Sequence, residues 1–167
     1  MTKILVYVAS SLDGYIARED GSVDWLPQVT ESGYDAFYKS VDTVIMGKTT
    51  YDQVLTFGIY PYKGKKSFVF SKTQHSDENV EFVSDVEKFV KDGFPGVGEN
   101  IWLVGGAKTI ASFLKQGVVD EIIITKIPVL LGKGIPLFHN LEVQTKLELI
   151  KTEKYDQLVD LHYKVLK

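Results

Sequence analysis

The stretch from Ile101 to Leu114, IWLVGGAKTIASFL, decides how the chain is read. Ile101 to Val104 is an apolar run rich in β-formers and too short for a helix. Gly105 and Gly106 follow, where the backbone must turn hard or admit a ligand closely. Beyond them Ile110, Phe113 and Leu114 recur at helical spacing, Ala107 and Ala111 favour a helix, and Gly117 is placed to close it in left-handed geometry. The stretch therefore reads as strand, tight turn, helix. Its glycines and the next N–H groups stand at a helix N-terminus, where unpaired donors and about half a positive charge favour a phosphate. A turn with no ligand explains the same residues equally well. The pattern is also not G-x-G-x-x-G, because Lys108 and Thr109 occupy the later positions.

Upstream, Lys3 to Ala9 is an apolar run of strand length followed by SLDGYIA, and a buried central strand is expected there. Asp13-Gly14 suits a hairpin turn, yet the segment runs on to Pro27 through Gly21 and Trp25, and long ordered loops tend to carry function. Ser32 and Asp35 have capping-box spacing, and Tyr34, Phe37, Tyr38 and Val41 share one helical face, which predicts a helix of about ten residues. Thr43 to Met46, Ser67 to Phe70 and Val80 to Val83 are three more short strands. Gly47 and KTTYDQVL after the first repeat the strand, glycine, helix pattern; Ser71-Lys72-Thr73 ends the second, and a helix from about Asp85 to Lys91 follows the third. Downstream, Glu121 to Leu131 reads as a strand covered on both faces with its ladder interrupted at Pro128, and Gly132, Gly134 and Pro136 make a rigid turn region. Leu147 to Glu153 and Leu158 to Leu166 alternate as an antiparallel hairpin at a sheet edge. Strands alternating with helices, then a hairpin, predict an α/β domain with a mostly parallel sheet.

The composition fits one globular domain: 167 residues, 44% hydrophobic and 25% charged. Lys plus Arg is 19 and Asp plus Glu is 22, a net of −3 that gives no general field for nucleic acid or an anionic membrane. An anion must be held locally. Cysteine is absent, which excludes disulfides and thiolate chemistry, and the 3 histidines lie far apart in sequence, so no metal is expected. The opening MTKILVYVASSLDG is neither a signal peptide nor a membrane span, and a cytoplasmic protein is expected. Three strand ends suit an anion: Gly105-Gly106, Gly47-Lys48-Thr49-Thr50 and Ser71-Lys72. In an open α/β sheet ligands gather at the carboxyl ends of strands, so together the three suggest a ligand with several phosphates, such as a dinucleotide. Each alone is also explained as a solvated turn.

Taken in order, VASSLDGYIA, VDTVIMGKTTYDQV, VFSKT, IWLVGGAKTIASFL, DEIIITKIPVLLGKGIPLF and the final hairpin resemble the dihydrofolate-reductase-like fold and, within it, the reductase domain of riboflavin biosynthesis, the RibD C-terminal domain. The resemblance covers essentially the whole chain as a single domain, residues 1–167. It implies a mostly parallel central sheet flanked by helices, with a C-terminal antiparallel β-hairpin. It also implies an NADPH-dependent oxidoreductase, often a homodimer, that transfers a hydride to a small heterocycle, of the 5-amino-6-(5-phosphoribosylamino)uracil reductase type. The peptide joining Gly105 and Gly106 would be cis.

By the same resemblance Ala9, Gly14 and Ile16 would border the nicotinamide, and Gly47, Lys48, Thr49 and Thr50 would hold phosphate. Ser71 and Lys72 would receive the adenosine 2′-phosphate, since a cofactor lacking that group is usually held by an acid at this place. Val104, Gly105, Gly106, Ala107, Lys108 and Thr109 would hold the pyrophosphate. Asp13 would lie near the substrate, with Trp25, Leu131 and Gly132 as further pocket candidates. The ordinary explanations are solvated lysine for Lys48 and Lys72, core packing for Trp25 and Leu131, and a turn for Asp13. The folate enzymes place an acid in the first turn of the helix before the MG strand. Here the register offers Gly33 with Glu31 and Asp35 on either side, so folate reduction is not expected. A proton must still reach the product, from Asp13, Glu31 or water. A dihydrofolate or pterin reductase, and a dinucleotide-binding module without turnover, are the alternative readings.

Overall fold

The computed structural model describes residues 1–28 and 31–167. In chain order the elements are β1 (Lys3–Ser11), β2 (Tyr15–Ala17), α1 (Tyr34–Ser40), β3 (Thr43–Gly47), α2 (Lys48–Leu55), β4 (Lys66–Phe70) and β5 (Glu81–Val83). They continue with α3 (Val86–Lys91), β6 (Asn100–Gly105), α4 (Ala107–Lys115), β7 (Glu121–Ile127), β8 (Ile135–Pro136), β9 (Leu147–Tyr155) and β10 (Leu158–Val165). Eight strands form one sheet in the order β5-β4-β3-β6-β1-β7-β10-β9. The strands from β5 to β7 pair in parallel, and the β9–β10 hairpin joins β7 antiparallel. This is the dihydrofolate-reductase-like architecture expected from the sequence. Among the described residues no helix is long and apolar enough to cross a membrane.

The strands at the centre are apolar on both sides because both faces are covered. On one face Val6, Phe68 and Leu103 pack under Phe89 of α3 and Ile110 and Phe113 of α4. On the other, Val44, Met46 and Trp102 pack under Phe37 of α1 and Tyr51 and Val54 of α2. Burying each such side chain contributes roughly 1.5–3 kcal/mol, which fixes the sheet and, with it, the strand ends from which α2 and α4 start.

Three local expectations change. The strand from Glu121 stops at Ile127 rather than Leu131, because Pro128 offers no ladder N–H. Ser32 and Asp35 do not make a capping box: Gly33 is the N-cap of α1, no side chain caps it, and the Ser32 hydroxyl accepts instead from the Tyr34 N–H at 3.2 Å. The helix is accordingly 7 residues long. The SLDGYIA segment is not a plain hairpin turn either. Its β2 pairs antiparallel with β8, Tyr15 opposite Pro136 and Ala17 opposite Ile135.

Candidate active site

The site begins with two helices that start where adjacent strands end. β3 and β6 are neighbours, with Met46 opposite Gly105, and each runs straight into a helix through a glycine N-cap, Gly47 for α2 and Gly106 for α4. Neither N-terminus has a side-chain cap, so both present unpaired N–H groups to the same cleft. Gly47 is what lets them come together. A Cβ there would lie 2.5 Å from the Thr109 hydroxyl oxygen, well inside contact distance. The Thr50 hydroxyl oxygen approaches the same turn, 3.5 Å from where a Cβ on Gly106 would stand. The Gly105–Gly106 peptide is cis.

The cleft is a cavity of about 710 Å³ lined by residues from both helix starts, including Lys48, Thr49, Thr50, Ala107, Lys108 and Thr109. Gly47, Gly106 and Ile16 also line it, so nine of the residues named from sequence meet in one place. Asp20, Gly21, Ser22 and Gln53 line it too and were not among the site residues expected from the sequence. The Gln53 side-chain amide donates to the Gly21 carbonyl at 3.2 Å, tying the loop after β2 onto α2. No local signal marks Gln53. It is an ordinary polar helix residue until the fold places it opposite that loop.

Ser71 and Lys72 stand just beyond Phe70, which lines the cleft, but do not line it themselves. The Ser71 hydroxyl accepts from the Thr73 N–H at 3.2 Å, and the Thr73 hydroxyl lies 2.6 Å from Nε2 of His75. Hydroxyls, an imidazole and the exposed Lys72 thus cluster at the end of β4. Thr73 and His75 were missed from sequence. Lys48 is committed to an i,i+4 ion pair with Asp52, which offsets its charge.

Asp13 joins two loops. Its carboxylate accepts from the Ser11 hydroxyl at 2.6 Å and from the N–H groups of Leu131 and Gly132 at 3.1 and 2.8 Å. The Ser11 bond first, then those backbone bonds, hold its carboxyl below the usual range, so it is ionised at neutral pH. It clasps the loop after β7 to the end of β1. Leu131 and Gly132 are the other half of that clasp. Glu31 is exposed and does not line the cleft. Trp25 is half-buried and does not line the cleft, nor do Ala9, Gly14, Val104 and Gly105, which belong to the strand ends and turns around it.

Adjacent strand ends that feed two uncapped helix N-termini into one cavity present backbone N–H donors in the arrangement that suits a phosphate-bearing ligand. The chain belongs to the RibD C-terminal domain family, whose sequence model matches residues 2–161. It is 45% identical to the uncharacterized protein YwjB of Bacillus subtilis (strain 168) over 168 residues, covering 96% of this chain and 97% of that one. Among solved structures, a candidate riboflavin biosynthesis protein from Shewanella sp. PV-4 superposes with a TM-score of 0.83 at 33% identity, covering 99% of this chain and 100% of that one. A diaminohydroxyphosphoribosylaminopyrimidine deaminase/5-amino-6-(5-phosphoribosylamino)uracil reductase from Thermotoga maritima shares the fold at a TM-score of 0.75 and 17% identity. This chain covers 57% of that longer protein and 99% of itself is covered in return.

Proposed function

We propose that the protein is an NADPH-dependent reductase of a small heterocycle, resembling the reductase activity named for the Thermotoga maritima relative. The observation that carries the reading is the pair of neighbouring uncapped helix N-termini facing one cavity, held together by Gly47 against Thr109. N–H groups of Lys48 to Thr50 and of Ala107 to Thr109 hold the pyrophosphate, with the Thr49, Thr50 and Thr109 hydroxyls beside them. Ser71, Lys72, Thr73 and His75 receive the 2′-phosphate. The bound cofactor supplies the hydride, and this chain's residues orient it and exclude water. Ile16 and Ile135 close the apolar side of the cleft, and the Asp13 clasp fixes the loop beside it. Asp13 acts by positioning, and the proton comes from water. A homodimer and a cytoplasmic location belong to the same proposal, and sedimentation velocity checks the former.

The test is loss of reduced-nicotinamide absorbance with the purified protein against a panel of aminopyrimidines, pyrimidinediones and pterins. Turnover of at least one with NADPH, abolished by Gly47→Ala or by deletion of the Asp13 clasp, is the expected result. NADPH binding with no turnover across the panel would instead identify a binding module.

A further inference from the structure

The turn that follows β4 is pinned at both ends. At its start the Ser71 N–H donates to the Val83 carbonyl of β5 at 2.9 Å. At its far end the Asp77 carboxylate accepts from the Asn79 N–H at 2.8 Å on one oxygen and from the Tyr51 hydroxyl on the other. Tyr51 belongs to α2 and is buried in the core beside Met46 and Val69. Between the two pins residues 72–76 are exposed. Among the described residues the Tyr51–Asp77 bond is the one hydrogen bond that joins this turn to a helix.

A line of rings carries the same tyrosine to the middle of the turn. The Tyr51 ring meets Phe82 of β5 edge-on with centroids 5.5 Å apart, and Phe82 packs against the His75 imidazole at 5.3 Å. Nε2 of His75 is in turn 2.6 Å from the Thr73 hydroxyl, which lies 3.2 Å from the Ser71 hydroxyl. Tyr51 therefore supports the turn twice, through its hydroxyl at Asp77 and through its ring by way of Phe82. Its hydroxyl bond is the first cause holding the Asp77 carboxyl below the usual range, so the acid is ionised at neutral pH and the bond is charge-assisted. Tyr51 also follows directly on Lys48, Thr49 and Thr50, which line the cleft at the uncapped start of α2. One helix thus presents donors to the cleft from its first turn and braces the turn after β4 from the next residue.

We infer that Tyr51 and Asp77 are positioning residues that set cofactor preference: their bond holds the turn carrying Ser71, Lys72, Thr73 and His75 at a fixed place relative to the start of α2. The inference rests on the cofactor assignment proposed above and adds to it the pair that makes the binding selective. The physical reason is preorganisation. An exposed turn of hydroxyls, an imidazole and a lysine gains little from a phosphate if it must be ordered at the moment of binding, because each side chain immobilised then subtracts from the affinity. A turn already braced against α2 keeps that affinity, and only a ligand with a 2′-phosphate benefits from it.

The experiment is a titration of the whole protein with NADPH and with NADH, in the wild type, Tyr51→Phe, Asp77→Ala and the double variant, with a melting curve for each. Tyr51→Phe, which removes only the hydroxyl, weakens NADPH about fivefold and leaves NADH unchanged, and Asp77→Ala does the same from a half-buried position outside the core. The double variant loses no more than Asp77→Ala alone, because both changes remove one bond. Tyr60→Phe, the same change at another tyrosine of that core, leaves both affinities where they are. A merely structural role would lower the two affinities together, along with the melting temperature, and that result overturns the inference. So does tighter NADPH binding by Asp77→Ala, the outcome expected if the carboxylate only repels the phosphate. Wild-type protein that binds NADPH no tighter than NADH overturns the cofactor assignment and this inference with it, whereas a preference undiminished in all three variants overturns the inference alone.

Discussion

Gly47 shows how a single missing side chain can make a site. Its φ of −78° and ψ of 165° suit any residue, so the requirement is space rather than backbone freedom. With Thr109 oxygen 2.5 Å from the position of a Cβ, Gly47→Ala must push α4 away from α2. Overpacking of this kind costs about 1–3 kcal/mol, and NADPH affinity should fall about tenfold or more, read by titration on protein whose melting curve shows it folded. Lys72 is the residue to change for cofactor choice. Being exposed, it should contribute only about 1 kcal/mol to NADPH and nothing to NADH, so Lys72→Ala should narrow the preference between them about fivefold. Equal loss for both cofactors would remove the 2′-phosphate role. That Gly47, Lys48 and Thr50 stand together where a strand meets a helix was legible in the sequence as a strand, glycine, helix pattern. Gln53, Thr73 and His75 were not, because their roles come from partners distant in sequence or from a turn with no fixed signature.

The loop after β7 and the turn after β1 act as one element, joined by Asp13. Its carboxyl has a lower pKa in the folded protein than the roughly 3.9 of an unfolded chain. The clasp therefore contributes fully above that unfolded value and is lost as pH falls through the folded one. Hydrogen exchange at the Leu131 and Gly132 amides should lose protection at acid pH before the central strands do. In Asp13→Asn that protection should be weaker and no longer depend on acid pH. Unchanged protection in the variant would mean the clasp does not hold the loop. SLDG pointed to this region, but the pairing of β2 with β8 was hidden because neither three nor two residues carry a periodic pattern. The helix at α1 was legible from Phe37 and Tyr38, while its start was not: Gly33 makes the cap, with Tyr155 and Asp160 packed against it.

Across the whole molecule, a mostly parallel sheet covered on both faces could be anticipated because apolar runs without alternation demand such covering, and an α/β arrangement supplies it. What order the strands take, and that Asp160 from the last strand ends beside a glycine of the first helix, depends on long-range packing that no local stretch encodes. A ligand that binds only the folded chain must raise its stability. At a hundred times its Kd, NADPH should add about 2.7 kcal/mol and raise the melting temperature by about 5–10 °C, with NADH at the same concentration giving less. The most direct measurement is a calorimetric titration of the purified protein with NADPH and NADH side by side. Saturable one-to-one binding of NADPH, at least about tenfold tighter than NADH, is the result predicted by a cleft built from two helix N-termini with a basic strand end beside it. No saturable binding of either nucleotide, or equal affinity for both, would contradict it.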